Sequence, residues 1–371
     1  MKPRILFVLH LPPPVHGAAV VGRYIQDSKI INSTFDCRYI NLSMAASLED
    51  IQRVGFRKLM NFISLLLTIR KEVKSFKPDL VYVTPNTKDG PFYKDCTVVE
   101  WLKLLGCKVV AHFHNKGVSM RQERWLDDKL YSVFFNHIKV IILADTLYLD
   151  IKKYVKRDSV FVCPNGIPNV DYEYRERKND VPRLLFLSNL IESKGVIVLL
   201  DALKQLLDEG YKFECDFVGD ETAEIDRCRF EAEVAARHLK DYVTYHGKKY
   251  GEEKTEYFLN ADIFLFPTFY DKETFGLVNL EAMSYALPVI STDEGGIPDV
   301  VRHGVNGLIC AKKDATALAD CIKKLLDNPD LRVRMGKAGR EIFSRYFTLD
   351  RFEENMKSIL ESILLSNGRD E

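Results

Sequence analysis

Short, largely apolar runs alternate with stretches of helical period along this chain. The runs lie at 5–9, 80–83, 108–115, 139–143, 160–163, 183–187, 213–218, 243–245 and 263–266. Bounded by turn residues, such runs predict buried parallel strands. Between them, apolar residues recur every three or four positions at 18–29, 57–76, 125–135, 148–154, 226–239, 315–327, 331–346 and 349–365, which predicts helices. Strand and helix alternating twice over predict an α/β fold of two Rossmann-like domains. Residues 169–182 are polar and aperiodic and read as a linker, with one domain at 1–168 and a second at 183–348.

Composition adds few constraints, but useful ones. The 371 residues suffice for about two domains, each with its own core. Lys+Arg and Asp+Glu both number 53, so nothing in the charge balance favours nucleic acid as a partner. The 8 cysteines are scattered with no C-x-x-C pair, which suits reduced thiols better than a disulfide framework or a zinc site. The apolar run at 5–9 is interrupted by His10 and is followed by no small-residue cleavage site, so it reads as a first strand rather than a leader. No segment reaches the roughly 18 apolar residues of a membrane span. Residues 57–74 mix apolar positions with Arg57, Lys58, Arg70, Lys71 and Lys74. Such a helix either packs on the core with a basic exposed face, the favoured reading, or lies on an anionic membrane surface.

The candidate chemistry concentrates at 271–299. Pro267 ends the strand at 263–266, so Glu273 falls on a loop and Glu281, eight residues later, about two turns into a helix. The helix start near Phe275, Gly276 and Leu277 offers free N–H groups and a positive dipole end, a place for anionic oxygens. Carboxylates on either side of it suit the hydroxyls of a sugar and of a ribose. Elsewhere, Gly17 lies in a strand-to-helix turn, and His112 and His114 lie at the carboxyl end of a strand, where open α/β sheets bind ligands.

Glu273-x7-Glu281, followed by Pro288-Val289-Ile290 and Gly295-Gly296-Ile297-Pro298, resembles the signature of the retaining glycosyltransferase family four, the nucleotide-sugar-dependent glycosyl transferase group 1. The resemblance implies GT-B architecture: two parallel sheets facing a deep cleft, an acceptor-side domain at 1–168, a donor-side domain at 183–348, and a helix at 349–365 crossing back to the first domain. It makes His114 the active-site histidine and Gly17 part of a cleft-lining loop. It sets Lys194 and Ser188-Asn189 where the family has Lys and Gly-Arg facing the donor's phosphates. The lysine is kept and the arginine is not. Glu273, His114 and Lys194 are then the catalytic candidates. Gly17, Ser188, Asn189, Lys194, Phe275, Gly276, Leu277 and Glu281 are the donor-binding ones.

The implied reaction is transfer of a sugar from a nucleotide-sugar donor to a saccharide or lipid-linked saccharide acceptor, in cell-surface polysaccharide or glycolipid synthesis. No Asp-x-Asp occurs, so neither a metal nor any other cofactor is expected. A cytoplasmic place is expected, with peripheral membrane contact through 57–74. Two alternatives stand beside this one: a catalytically weak GT-B protein that only binds a nucleotide sugar, and a nucleotide-sugar epimerase of related fold.

Overall fold

Two sheets carry the chain, each of six parallel strands. The structure is a computed structural model and describes residues 2–13, 17–43, 56–172 and 179–366. The expected turn residues Pro14, Val15 and His16, linker residues 173–178, and the side chains of Arg57 and Lys58 lie outside the described residues. The chain divides into two units: Met1–Asn165 with Leu349–Glu371, and Gly166–Thr348.

The first unit opens with β1 (Arg4–Leu9), α1 (Gly17–Asp27), α2 (Lys29–Thr34) and β2 (Asp36–Asn41). The single helix expected at 18–29 is thus two. Ser28 breaks it, because its hydroxyl accepts from the Ile31 amide at 3.2 Å and caps α2. Next come α3 (Phe56–Phe76), β3 (Leu80–Val83), α4 (Asp89–Leu104), β4 (Val109–His112), α5 (Trp125–Phe134), β5 (Lys139–Ile142), α6 (Tyr148–Ile151) and β6 (Val160–Val162). The sheet order is β2-β1-β3-β4-β5-β6. Successive strands therefore depart from β1 in one direction and from β3 in the other, and crevices form at such reversals.

The second unit runs β7 (Arg183–Leu187), α7 (Val196–Asp208), β8 (Glu214–Val218), α8 (Arg227–Ala236), β9 (Val243–Tyr245), α9 (Gly251–Asn260), β10 (Ile263–Phe266), α10 (Leu277–Ser284), β11 (Val289–Thr292), α11 (Ile297–Val300), β12 (Gly307–Cys310), α12 (Ala315–Leu326) and α13 (Pro329–Tyr346). Its order, β12-β11-β10-β7-β8-β9, puts the reversal between β7 and β10. The core between sheet and helices includes Leu184, Phe186, Leu199, Leu203, Phe217 and Leu265. The chain enters and leaves this unit side by side, since the Ile167 amide donates to the Phe347 carbonyl at 3.1 Å.

The last helix, α14 (Leu349–Ser366), returns to the first unit and packs on α2. Its stripe of Phe352, Met356, Leu360 and Ile363 is at most 1% exposed, in one core with Phe7, Ile25 and Tyr82. Each such side chain contributes about 1.5–3 kcal/mol on burial, so the stripe fixes where the helix goes. Among the described residues, no helix is long and apolar enough to cross a membrane.

Candidate functional site

β7 and β10 are neighbours, with Ile263 opposite Leu184 and Leu265 opposite Phe186. The chain leaves them in opposite directions. Their following loops carry Lys194 and Glu273, and these loops are tied together. The Phe269 amide donates to the Ser193 carbonyl at 2.7 Å. Lys194 ends a 3-10 turn (Glu192–Lys194), and Gly195 follows with φ 90°. A Cβ at Gly195 would stand 2.3 Å from the Pro267 carbonyl oxygen, so only glycine lets these loops meet.

Glu273 is braced from behind by the Gly295-Gly296 pair. Gly295 has φ 58°, and a Cβ there would lie 2.4 Å from the Glu273 carbonyl oxygen. The Gly296 amide donates to the Thr274 carbonyl at 2.7 Å. So placed, Glu273 Oε2 accepts from Lys194 Nζ at 2.5 Å. Its Oε1 accepts from the Gly276 amide at 3.1 Å. The two side chains are only 15% and 14% exposed, and Lys194 also lies over the Tyr270 ring at 4.6 Å. Such a pair is poorly screened by water and salt. The expectation of a free N–H at Gly276 is therefore corrected: the chain's own carboxylate takes it.

Gly276, with φ 64°, forms the N-cap of α10. This late start corrects a second expectation. Glu281 is the fifth residue of α10, one turn in rather than two, or about 6 Å along the axis from Leu277. Lys254 of α9 donates to Glu281 Oε1 at 2.6 Å, while Oε2 is buried without a hydrogen-bond partner among the described residues. Asn279 is fully buried, and neither atom of its amide has a hydrogen-bond partner among the described residues. Phe275 is buried edge-on against Phe347, so its side chain anchors the turn; Leu277 is half-buried.

Ser188 and Asn189 follow β7. The Ser188 amide donates to the Val218 carbonyl at 3.0 Å, and Asn189 Oδ1 accepts from the Asp220 amide at 3.3 Å. Asp220 Oδ2 in turn accepts from Lys248 Nζ at 2.6 Å. A cation thus lies one residue beyond the neutral Asn189, supplied by the loop after β9.

The first unit holds the remaining candidates. Gly17 starts α1, is exposed, and would accept a Cβ with nothing within 4 Å. The close approach falls instead at Gly22, where a Cβ would stand 2.0 Å from the His10 carbonyl oxygen. β4 ends at His112, short of the expected run to Asn115, because Asn115 turns to donate from Nδ2 to Asn86 Oδ1 at 3.0 Å. His112 and His114 share one side, with ring centroids 4.2 Å apart. His112 is fully buried, and its Nδ1 lies 2.6 Å from the Tyr82 hydroxyl. Burial, with His114 beside it, holds its pKa well below the ordinary 6.5. His114 is half-buried and is the more accessible of the two.

Lys254, Lys248, Tyr270 and Asn279 were not singled out from sequence. A lysine on α9 or after β9 reads as a surface charge until the partner carboxylate is located. Chemically, a lysine and a helix amino end converge on one carboxylate, and the same donors suit a phosphate oxygen.

Residues 172–342 match the model of the family described as glycosyl transferases group 1. The amylovoran biosynthesis glycosyltransferase AmsK of Erwinia amylovora is 29% identical over 232 residues, 60% of this chain and 56% of the relative. The chain spans about half the length of the curated relatives it matches. A sucrose-phosphate synthase from Thermosynechococcus elongatus aligns at TM-score 0.75 and 19% identity, covering 99% of this chain and 100% of that one. Anabaena HepE, solved in complex with UDP and glucose, aligns at TM-score 0.71 and 16% identity, covering 97% and 100%. The chain has the GT-B fold, and its residues 172–342 are similar to the glycosyl transferases group 1.

Proposed function

We propose that this protein is a retaining glycosyltransferase. It moves a sugar from a nucleotide-sugar donor to a saccharide or lipid-linked saccharide acceptor, in polysaccharide or glycolipid synthesis. One observation carries the reading: Lys194 Nζ and the amino end of α10 converge on a single anion, the carboxylate of Glu273. Cleaving the donor leaves negative charge on a diphosphate, and fixed donors of this kind suit such a charge. Glu273 then faces the sugar, and Glu281 accepts from the ribose hydroxyls. His114 contacts the sugar or the acceptor, and Gly17 the loop beside it. The acceptor attacks on the face the leaving group departs from, and the departing phosphate takes the acceptor's proton. The description of AmsK as an amylovoran biosynthesis glycosyltransferase supports a transferase in a biosynthetic setting.

The chemical step is proposed to need no divalent metal, since Lys194 and the helix end can supply the positive charge that a metal would otherwise bring. A thermal-shift screen against UDP, GDP, ADP and their sugars tests the binding. A ligand at 100 times its Kd should add about 2.7 kcal/mol of stability. Turnover with the donor so found, with and without EDTA, tests the chemistry. Complete loss in EDTA, restored by Mg²⁺ or Mn²⁺, counts against the metal-free step.

Asn189 favours a second reading, a protein that binds a nucleotide sugar and turns it over weakly. Its Oδ1 is engaged with the Asp220 amide, and its side chain carries no charge. Release of nucleotide that acceptor fails to accelerate would favour that reading.

Peripheral membrane contact is proposed through α3. Leu59, Met60, Ile63 and Leu67 are 41–58% exposed, and Arg70, Lys71 and Lys74 are exposed beyond them. Apolar side chains beside basic ones suit an anionic bilayer. Flotation with vesicles containing anionic lipid should carry the wild type and lose Leu59→Ser/Leu67→Ser. Equal flotation of both would sink the contact.

A further inference from the structure

Two acceptors cannot share the single hydrogen of the Gly276 amide at full strength. In the structure that hydrogen points to Glu273 Oε1 at 3.1 Å, while Oε2 holds Lys194 Nζ at 2.5 Å. Glu273 therefore occupies both donors that the proposed function assigns to the diphosphate. The first turn of α10 also contains a buried side-chain amide with no hydrogen-bond partner among the described residues. The Asn279 amide is fully buried and unpaired among the described residues, and its Nδ2 would stand 2.7 Å from a Cβ on Gly276. Such a group is costly to bury unless an acceptor arrives.

We propose that Glu273 is a specificity residue that separates intact donor from spent nucleotide. Its carboxylate fills the anion site in the free chain, gives way to the donor's diphosphate, and afterwards returns to help displace the nucleoside diphosphate. This rests on the donor-site reading and extends it. The reason is a difference in what the displaced carboxylate meets. With an intact nucleotide sugar, sugar hydroxyls donate to it, and its lost bonds are replaced. With a bare nucleoside diphosphate there is no sugar, so a low-exposure carboxylate is left beside a like charge with its donors taken. Glu273 thus opposes the product more than the substrate. An ordinary phosphate-binding turn, whose donors stand open, has no such preference.

The test is calorimetric titration of wild type and Glu273→Gln with UDP, GDP and ADP, and with the corresponding nucleotide sugars. Glutamine keeps the size and removes the competing charge. The nucleoside diphosphate that binds should do so about tenfold more tightly to the variant, the scale of one charge-assisted hydrogen bond. The nucleotide sugar should bind it no more tightly than the wild type, so the preference for donor over product collapses. Unchanged or weaker nucleoside diphosphate binding by Glu273→Gln, with wild-type binding intact, overturns the inference and leaves the donor site standing. In that event Lys194 serves both anions at once. Absence of binding to wild type and variant alike removes the donor-site reading and the inference together. Melting curves establish that the variant is folded. Should it fail to fold, Glu273→Asp serves instead: it keeps the charge but is too short to bridge both donors. It should also bind nucleoside diphosphate more tightly than wild type; equal or weaker binding overturns the inference.

Discussion

Lys254 Nζ of α9 lies 2.6 Å from Glu281 Oε1 of α10, and the other oxygen of that carboxylate is buried with no partner among the described residues. Lys254 thus fixes the carboxylate's orientation and leaves one oxygen in reserve. If that oxygen takes a ribose hydroxyl, its contribution is similar in ground and transition states. Glu281→Ala should chiefly raise the donor KM. Lys254→Met should raise it in the same sense by a smaller factor, through misorientation. Steady-state kinetics on both variants checks this, and a pure kcat effect in Glu281→Ala would move the residue into the chemistry.

Lys194→Ala should weaken donor binding and slow transfer together. A charge-assisted phosphate contact is worth about 1.5–3 kcal/mol, which is roughly a tenfold to hundredfold loss. Lys248 is held by Asp220 and should not take over. Wild-type kinetics in Lys194→Ala would mean the phosphate lies elsewhere. Asn189→Arg is the companion: unchanged or improved activity indicates that the position accepts a cation facing the donor.

Gly295→Ala should disturb the site without touching any proposed ligand contact. The added methyl would meet the Glu273 carbonyl at 2.4 Å on a residue with φ 58°. Strain of this kind costs about 1–3 kcal/mol. A lowered melting temperature with a reduced kcat is expected. Retention of both would show that the loop relaxes freely.

Stability of the first unit should fall in mild acid because of His112. Its folded pKa lies well below the ordinary 6.5, so below that pH the unfolded chain binds the proton and the folded chain does not. The stabilisation is present above pH 6.5 and is lost as pH falls towards the folded value, with a limiting slope of about 1.4 kcal/mol per pH unit. Denaturant titrations between pH 7 and pH 5 should show this slope in wild type and a flatter one in His112→Asn. Equal slopes would mean that other groups dominate. Tyr82 and His114 are the titratable groups in contact with this ring.

Much of the architecture is written in local pattern. Apolar runs such as Leu184–Leu185–Phe186–Leu187 have no other stable place than a strand covered on both faces. The stripe on α14 is readable because Phe352, Met356, Ile359 and Ile363 repeat at helical spacing, although Leu360, rather than the half-buried Ile359, completes the buried face. Elements without such a pattern went unassigned. β2 is an edge strand, exposed along much of its length, and lacks a continuous apolar run. α4 buries Phe92, Asp95, Val98, Val99 and Leu102 on one face, but Asp95 interrupts that face and the large apolar Tyr93, Trp101 and Leu104 lie off it, so the sequence shows no clean two-sided pattern.

In the site, sequence singled out Lys194, Glu273, Gly276 and Glu281, because turn glycines and paired carboxylates stand out against strand ends. What it did not determine is which charge meets which. Lys194 and Glu273 are 79 positions apart, and only the β7–β10 reversal brings their loops together. The same holds for Lys254 on Glu281 and for Gly295 against Glu273. Local propensity acts over a few residues, whereas these contacts follow from strand order. A chain of this pattern announces a carboxylate, a lysine and a turn glycine; that the carboxylate takes both the lysine and the glycine amide is decided by tertiary structure alone.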